Sequence, residues 1–183
     1  MRIITGKLKG RIIPIPKTGQ LRPTSDRTKE GLFSVIEARA YLENTRILDL
    51  FAGSGNLGFE AISRGSTSCL FVDSETTHIR EIEKTAKKFG VENQVQTIAM
   101  PVETFLEKKY GRFDFIFADP PYDLFMMEEM IELIMNGEWL AEDGWFILEH
   151  DKRHDFSGHP KAVFSKAYGR TIVAIFKENT EDF

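Results

Sequence analysis

A single cysteine in 183 residues, Cys69, rules out an intramolecular disulfide and a thiolate zinc site. It sits inside an apolar run and is expected as a buried core thiol. No apolar run approaches the roughly 20 residues that a membrane span needs. The opening stretch MRIITGKLKG lacks the apolar core of a signal peptide, so a cytoplasmic location and no membrane partner are expected. There is no internal repeat, low-complexity tract or linker, and one domain over 1–183 is expected. Histidine is scarce as well. His150 and His154 are four residues apart, but HDKRHD reads as a solvated charged segment, so no metal is expected.

The charge is unevenly spread. Residues 1–29 hold eight Lys or Arg and one acid, Asp26, a charge of +7, which leaves −11 for the remainder of a chain whose total is −4. Such asymmetry suits an arm that meets an anion, and a solvated face is the alternative. RIIT and RIIPIP read as two short strands around a glycine-bounded turn, with Lys7, Lys9 and Arg11 at or beside the hairpin tip. Next, Thr24 or Ser25 can cap a helix whose buried face is Leu32, Phe33, Ile36 and Ala40.

From Arg46 strands alternate with helices: RILDLF, CLFVD, VQTIAM, FDFIFA and GWFILEH are the strands. AVFSKAY and TIVAIF, separated by Gly169 and Arg170, form a closing antiparallel hairpin. The expected fold is α/β: a doubly wound, mostly parallel, seven-stranded Rossmann-like sheet with an antiparallel C-terminal strand. Residues 1–42 are expected to form a hairpin-and-helix extension to an α/β core over 43–183.

Two stretches carry chemistry. In LDLFAGSGNLG, Asp49 ends a strand and Gly53, Ser54, Gly55 and Gly58 lead into a helix. Glycines there let backbone approach a ligand at a helix N-terminus, and Asp73 at the next strand end can accept ribose hydroxyls. That pattern fits either a nicotinamide dinucleotide or S-adenosylmethionine. Asp49, four residues before the first glycine, suits a cofactor with positive charge better than a pyrophosphate. The second stretch is Asp119-Pro120-Pro121-Tyr122, a stiff elbow where a strand ends. The Asp119 carboxylate and Pro120 carbonyl can each accept one N–H of a planar amine, favouring a pyramidal nitrogen. Pro120 and Pro121 hold these groups still, and Tyr122 can stack on an unstacked base. A bare strand-terminating turn is the alternative.

Taken together, DLFAGSG, the acid after FV, and DPPY resemble the class I S-adenosylmethionine-dependent amino-methyltransferases. More narrowly, MRIITGKLKGR, RPTSDRTKEGLFSVI, LDLFAGSGNLGFEAISRG, ADPPY and LEHDKR resemble the RsmD-type bacterial methyltransferases, from Met1 to about Phe176. These modify the exocyclic N2 of a guanine in 16S ribosomal RNA. The resemblance implies S-adenosylmethionine contacts from Asp49, Gly53, Gly55 and Asp73, and catalytic roles for Asp119, Pro120 and Tyr122. Arg22 and Thr24 of RPT would lie near the cofactor or the entering base. It also implies 16S RNA, in assembled or partly assembled small ribosomal subunits, as partner. Pro101 stands where the family usually has an acid that meets the adenine, so Val102, backbone groups or Glu103 are expected there instead. Ser34 replaces the usual asparagine after LF. A DNA adenine-N6 or cytosine-N4 methyltransferase is the nearest rival, although the chain has no room for a separate target-recognition region. An NAD-dependent oxidoreductase leaves the elbow and basic hairpin unexplained. A non-catalytic RNA-binding module does not need both Asp119 and the glycine loop.

Overall fold

In the computed structural model, residues 1–15, 25–121, 127–181 and 183 are described. Five helices and seven strands are named among them: α1 Asp26–Glu37, β1 Arg46–Leu50, α2 Asn56–Ser63, β2 Ser68–Asp73, α3 Thr76–Phe89, β3 Val95–Ala99, α4 Val102–Leu106, β4 Phe113–Ala118, α5 Met127–Asn136, β5 Leu140–Asp151, β6 Ala162–Tyr168 and β7 Thr171–Lys177. The seven strands form one sheet in the order β3-β2-β1-β4-β5-β7-β6. β3, β2, β1, β4 and β5 run parallel, and β7 and β6 close the sheet antiparallel.

Parallel strands covered on both faces must be apolar on both faces, and β1, β2 and β4 are. The two resulting cores are separate. On one face Phe71, Phe117, Ile147 and Val173 pack with α1, α2, α3 and residues Ile3, Leu8 and Ile13 of the N-terminal strap. On the other, Val72, Ile116, Ala118 and Leu148 pack with α4 and α5. The chain reverses at β1: it first adds β2 and β3 on one side and later β4 on the other. That reversal opens a crevice at the strand C-termini, where ligands of such sheets bind. No helix among the described residues is long and apolar enough to cross a membrane.

Several expectations are corrected in detail. The N-terminal hairpin has the expected path but no extended ladder; one bridge, Arg2 to Ile12, joins its arms. Three backbone bonds of 2.9 Å cross the hairpin, from Ile3 N–H to the Arg11 carbonyl, Ile13 N–H to the Met1 carbonyl and Gly10 N–H to the Ile3 carbonyl, and packing on α2 adds to them. Lys7 N–H donates to the Ser63 carbonyl at 2.8 Å and Leu8 N–H to Ser63 Oγ at 2.9 Å. Ser25 is the cap of α1, its Oγ accepting from Thr28 N–H at 3.0 Å. α1 ends at Glu37, so Ala40 packs from the following loop rather than from the helix face. β5 begins at Leu140, before the expected Gly144, because a register shift against β4 accommodates Asp143 at a φ of 59°. The solvated reading of HDKRHD fails at His150, which is 1% exposed and packs edge-on against Phe156.

A charged network crosses the first core. Lys29 and Glu60 side chains are both fully buried, 3.2 Å apart. Lys29 also donates to the Arg2 carbonyl at 2.7 Å and to Asn56 Oδ1 at 2.8 Å. Glu60 accepts Ile4 N–H at 2.9 Å, Thr5 N–H at 3.1 Å and Arg64 Nε at 2.9 Å. Strap, α1 and α2 are thereby tied together where α2 leaves the glycine loop.

Candidate active site

β1 delivers the chain to the crevice through residues in unusual conformations. Phe51, Gly53 and Gly55 have φ of 56°, 54° and 77°, the left-handed region that favours glycine. Gly55 is the cap of α2, whose first residue is Asn56. Gly58 serves a different purpose inside α2: a Cβ there would stand 2.3 Å from the Phe71 ring and 2.6 Å from Cys69 Sγ. The bare Cα lets helix and β2 approach closely.

Asp73 holds this loop from the neighbouring strand end. Its Oδ2 accepts Gly53 N–H at 2.8 Å, and its Oδ1 accepts Glu75 N–H at 2.8 Å and lies 3.1 Å from His78 Nδ1. The residue expected at the ribose therefore also shapes the loop that would receive it. Ser54 is buried beside the strap, its hydroxyl 3.6 Å from Met1 Sδ. Val102 is buried at the start of α4, which follows β3. The Met100 N–H bonds to the Asp73 carbonyl at 2.9 Å, so the end of β3 stays beside Asp73.

Asp49 is 3% exposed and accepts Gly58 N–H at 2.9 Å. Burial pushes its carboxyl well above the usual carboxylate range, and the negative charges of Asp119 and Asp73 push it further. Three acids thus share one electrostatic neighbourhood at the ends of β1, β2 and β4. Two extra carboxylates beside a buried third disfavour an anion and reward a cation. Burying such an acid costs stability. Between the ordinary carboxyl pKa and the elevated one, the folded chain binds a proton that the unfolded chain has released, so stability falls as pH rises through that window. Asp49→Asn keeps an acceptor for Gly58 N–H and removes the charge. We expect its melting temperature at neutral pH to exceed that of the parent, with a flatter pH profile. Thermal unfolding across pH measures this; a variant less stable than the parent at neutral pH contradicts it.

The elbow leaves β4 at Ala118. Asp119 is half-buried, Pro120 buried and Pro121 exposed. Tyr122, Arg22 and Thr24 lie outside the described residues. β1 and β4 are adjacent, with Leu50 opposite Ala118, so glycine loop and elbow emerge side by side.

The basic hairpin lies elsewhere. The Lys7 ammonium bonds to Gln94, which precedes β3 and whose amide donates to the Ser66 and Thr67 carbonyls before β2. Arg11 donates to the Lys88 carbonyl at 3.1 Å and lies over the Phe89 ring. Lys7, Lys9 and Arg11 therefore sit at the strand N-termini, a strand length of about 17 Å from the elbow. Sequence reasoning did not find Lys29 and Glu60. Their signal was a charge on an apolar stripe: Lys29 precedes Phe33 and Ile36 by four and seven residues, and Glu60 follows Phe59 and precedes Ala61 and Ile62.

Among known proteins, the family model described as "Conserved hypothetical protein 95" matches residues 1–177. A Bacillus subtilis (strain 168) protein named "Putative rRNA methyltransferase YlbH" is 36% identical over 97% of the chain and 99% of that relative. "Ribosomal RNA small subunit methyltransferase D" of Buchnera aphidicola subsp. Acyrthosiphon pisum (strain APS) is 35% identical, over 82% of the chain and 78% of that relative. The solved structure of "Putative methyltransferase yhhF from Escherichia coli" superposes with a TM-score of 0.83 at 28% identity, covering 96% of each chain.

Proposed function

The chain belongs to the Conserved hypothetical protein 95 family, that of the RsmD-type methyltransferases, and from this premise we propose that it transfers a methyl group from S-adenosylmethionine to the exocyclic N2 of a guanine in small-subunit ribosomal RNA. The observation that carries the reading is the pairing of the glycine loop with the Asp119-Pro120-Pro121 elbow on adjacent strand ends, over three clustered acids. Family relatives named as ribosomal RNA small subunit methyltransferases support the RNA class. A ribosomal RNA substrate implies a cytoplasmic enzyme.

The cofactor fits the residues present. Asp49, Asp73 and Asp119 supply negative charge for the sulfonium and amino group; Gly53, Ser54 and Gly55 supply close backbone; Val102 supplies an apolar wall for the adenine. When bound, S-adenosylmethionine supplies an electrophilic methyl group. The chain supplies position. The Asp119 carboxylate and the Pro120 carbonyl each accept one N–H of the target amine, drawing its lone pair out of conjugation and towards the methyl group. Pro120 and Pro121 fix both acceptors, and Tyr122 stacks on the base. Once the nitrogen carries the methyl group it is cationic and acidic, and Asp119 or water takes the proton.

Lys7, Lys9 and Arg11 hold phosphates remote from the target base, so the substrate must extend about a strand length beyond the methylated nucleotide. Small subunits, naked ribosomal RNA and DNA, each incubated with labelled cofactor, test the substrate class. Label in the small subunit or its RNA and not in DNA is expected; label in DNA alone contradicts the reading. Removing the charges of Lys7, Lys9 and Arg11 together should weaken RNA binding and lower its log–log salt slope by about one per lost phosphate contact. Calorimetry should show S-adenosylmethionine affinity unaltered. An RNA affinity insensitive to the triple change makes the hairpin a solvated face.

A further inference from the structure

The glycine loop and elbow account for three acids. A fourth stands on the same edge. Glu149 lies in β5, is 2% exposed, and is one residue beyond the Ala118–Leu148 pair that aligns β4 with β5. Side chains alternate along a strand. Ala118 and Leu148 both belong to the core under α4 and α5, whereas Phe117 and Ile147 belong to the core under α1. Glu149, the next residue of β5, therefore falls on the α1 face, and Asp119 follows β4 directly at the elbow. The partner of Glu149 in β7 is Val173, buried in that same α1-side core. Asp119 meets Asp49 electrostatically. Two carboxylates thus leave adjacent parallel strands, about 4.8 Å apart, at the strand C-termini.

The reacting amine needs one such group. A second, one strand further, meets the next atom along the base edge. In guanine that atom is N1, which carries a hydrogen; in adenine and cytosine the ring nitrogen beside the amine carries a lone pair. A carboxylate accepts only, so it rewards N1–H and opposes a lone pair. Resting on the N2-methylation reading above, we infer that Glu149 is a specificity-determining residue that accepts the N1–H of the target guanine. This explains how an elbow also suited to adenine or cytosine amines would be confined to guanine. It assigns discrimination to the carboxylate charge, and the bond expected is a charged one, worth roughly ten- to a hundredfold in turnover efficiency.

The test uses the full chain and Glu149→Gln, which preserves shape while removing the charge and replacing one of the two acceptor oxygens with a donor. Substrates are small subunits reconstituted with the target guanine or with 2-aminopurine, which keeps the 2-amine but has a lone pair at N1. The parent enzyme should methylate guanine and discriminate against 2-aminopurine. The variant should lose efficiency on guanine by about tenfold or more while its 2-aminopurine-to-guanine ratio rises by at least as much. S-adenosylmethionine affinity should stay within a few-fold. A variant that loses guanine turnover with an unchanged ratio overturns the inference and leaves Glu149 a packing residue; so does a variant identical to the parent. The parent's own product separates the two claims: a nucleoside other than N2-methylguanosine overturns the reaction assignment before the variant is considered.

Discussion

Asp119→Ala should reduce methyl transfer by about a hundredfold or more, the scale on which a misplaced reactant slows an enzyme. S-adenosylmethionine affinity should remain within a few-fold, because Asp49, Asp73 and the glycine backbone still line the site. Asp119→Asn should keep part of the activity, since its amide oxygen still accepts one N–H. Turnover measured under saturating cofactor, with binding measured separately, distinguishes these effects. Full turnover by Asp119→Ala would reduce the elbow to a strand terminator. There is a secondary effect as well. Asp119 is one of the two negative charges that raise the Asp49 carboxyl, so its removal should bring the Asp49 titration down.

Lys29→Ala should destabilise the fold by about 3–5 kcal/mol, the usual consequence of leaving one member of a buried ion pair behind. Burial pushes the Lys29 ammonium down, and Glu60 opposes that shift most strongly. Without Lys29, Glu60 keeps the Ile4 and Thr5 N–H groups and Arg64, but loses the ammonium 3.2 Å away. Asn56, at the start of α2, would lose its Oδ1 partner, and its Nδ2 has none among the described residues. Cofactor binding should suffer with stability because the loop ends on that residue. The double change Lys29→Ala with Glu60→Gln, which removes the stranded charge while an amide oxygen still accepts from the strap, should recover much of the loss, which urea denaturation measures. Equal losses in single and double variants would show that packing volume, not the stranded charge, sets the cost.

Much of the fold was legible because its signals are local. Apolar runs of five or six residues separated by helical stretches read directly as a parallel sheet, and the glycine loop after RILDLF marked the crevice. The family resemblance, resting on blocks spread from Met1 to about Phe176, agrees with the match over residues 1–177. What escaped was set by tertiary contact. The hairpin arms read as strands from β-branched residues, yet they share one bridge and also pack against Ser63 and Glu60. Lys29 read as part of an anion-binding arm because a sequence shows its charge and not its burial. His150 read as solvent-facing from its charged neighbours, but β5 extends to Asp151 and turns its ring onto Phe156. At the site, the residue types at Asp49, Asp73 and Asp119 were visible. That Asp73 also holds the glycine loop, and that the basic tip stands at the opposite sheet edge, follow only from the path of the chain.

The position of the new methyl group tests the account most directly. Small subunits lacking the modification would be incubated with the enzyme and labelled S-adenosylmethionine, and the RNA digested to nucleosides and resolved by mass and retention. N2-methylguanosine as the sole new product is the predicted result. Label on a carbon, on a ribose, or on an adenine or cytosine amine would contradict it.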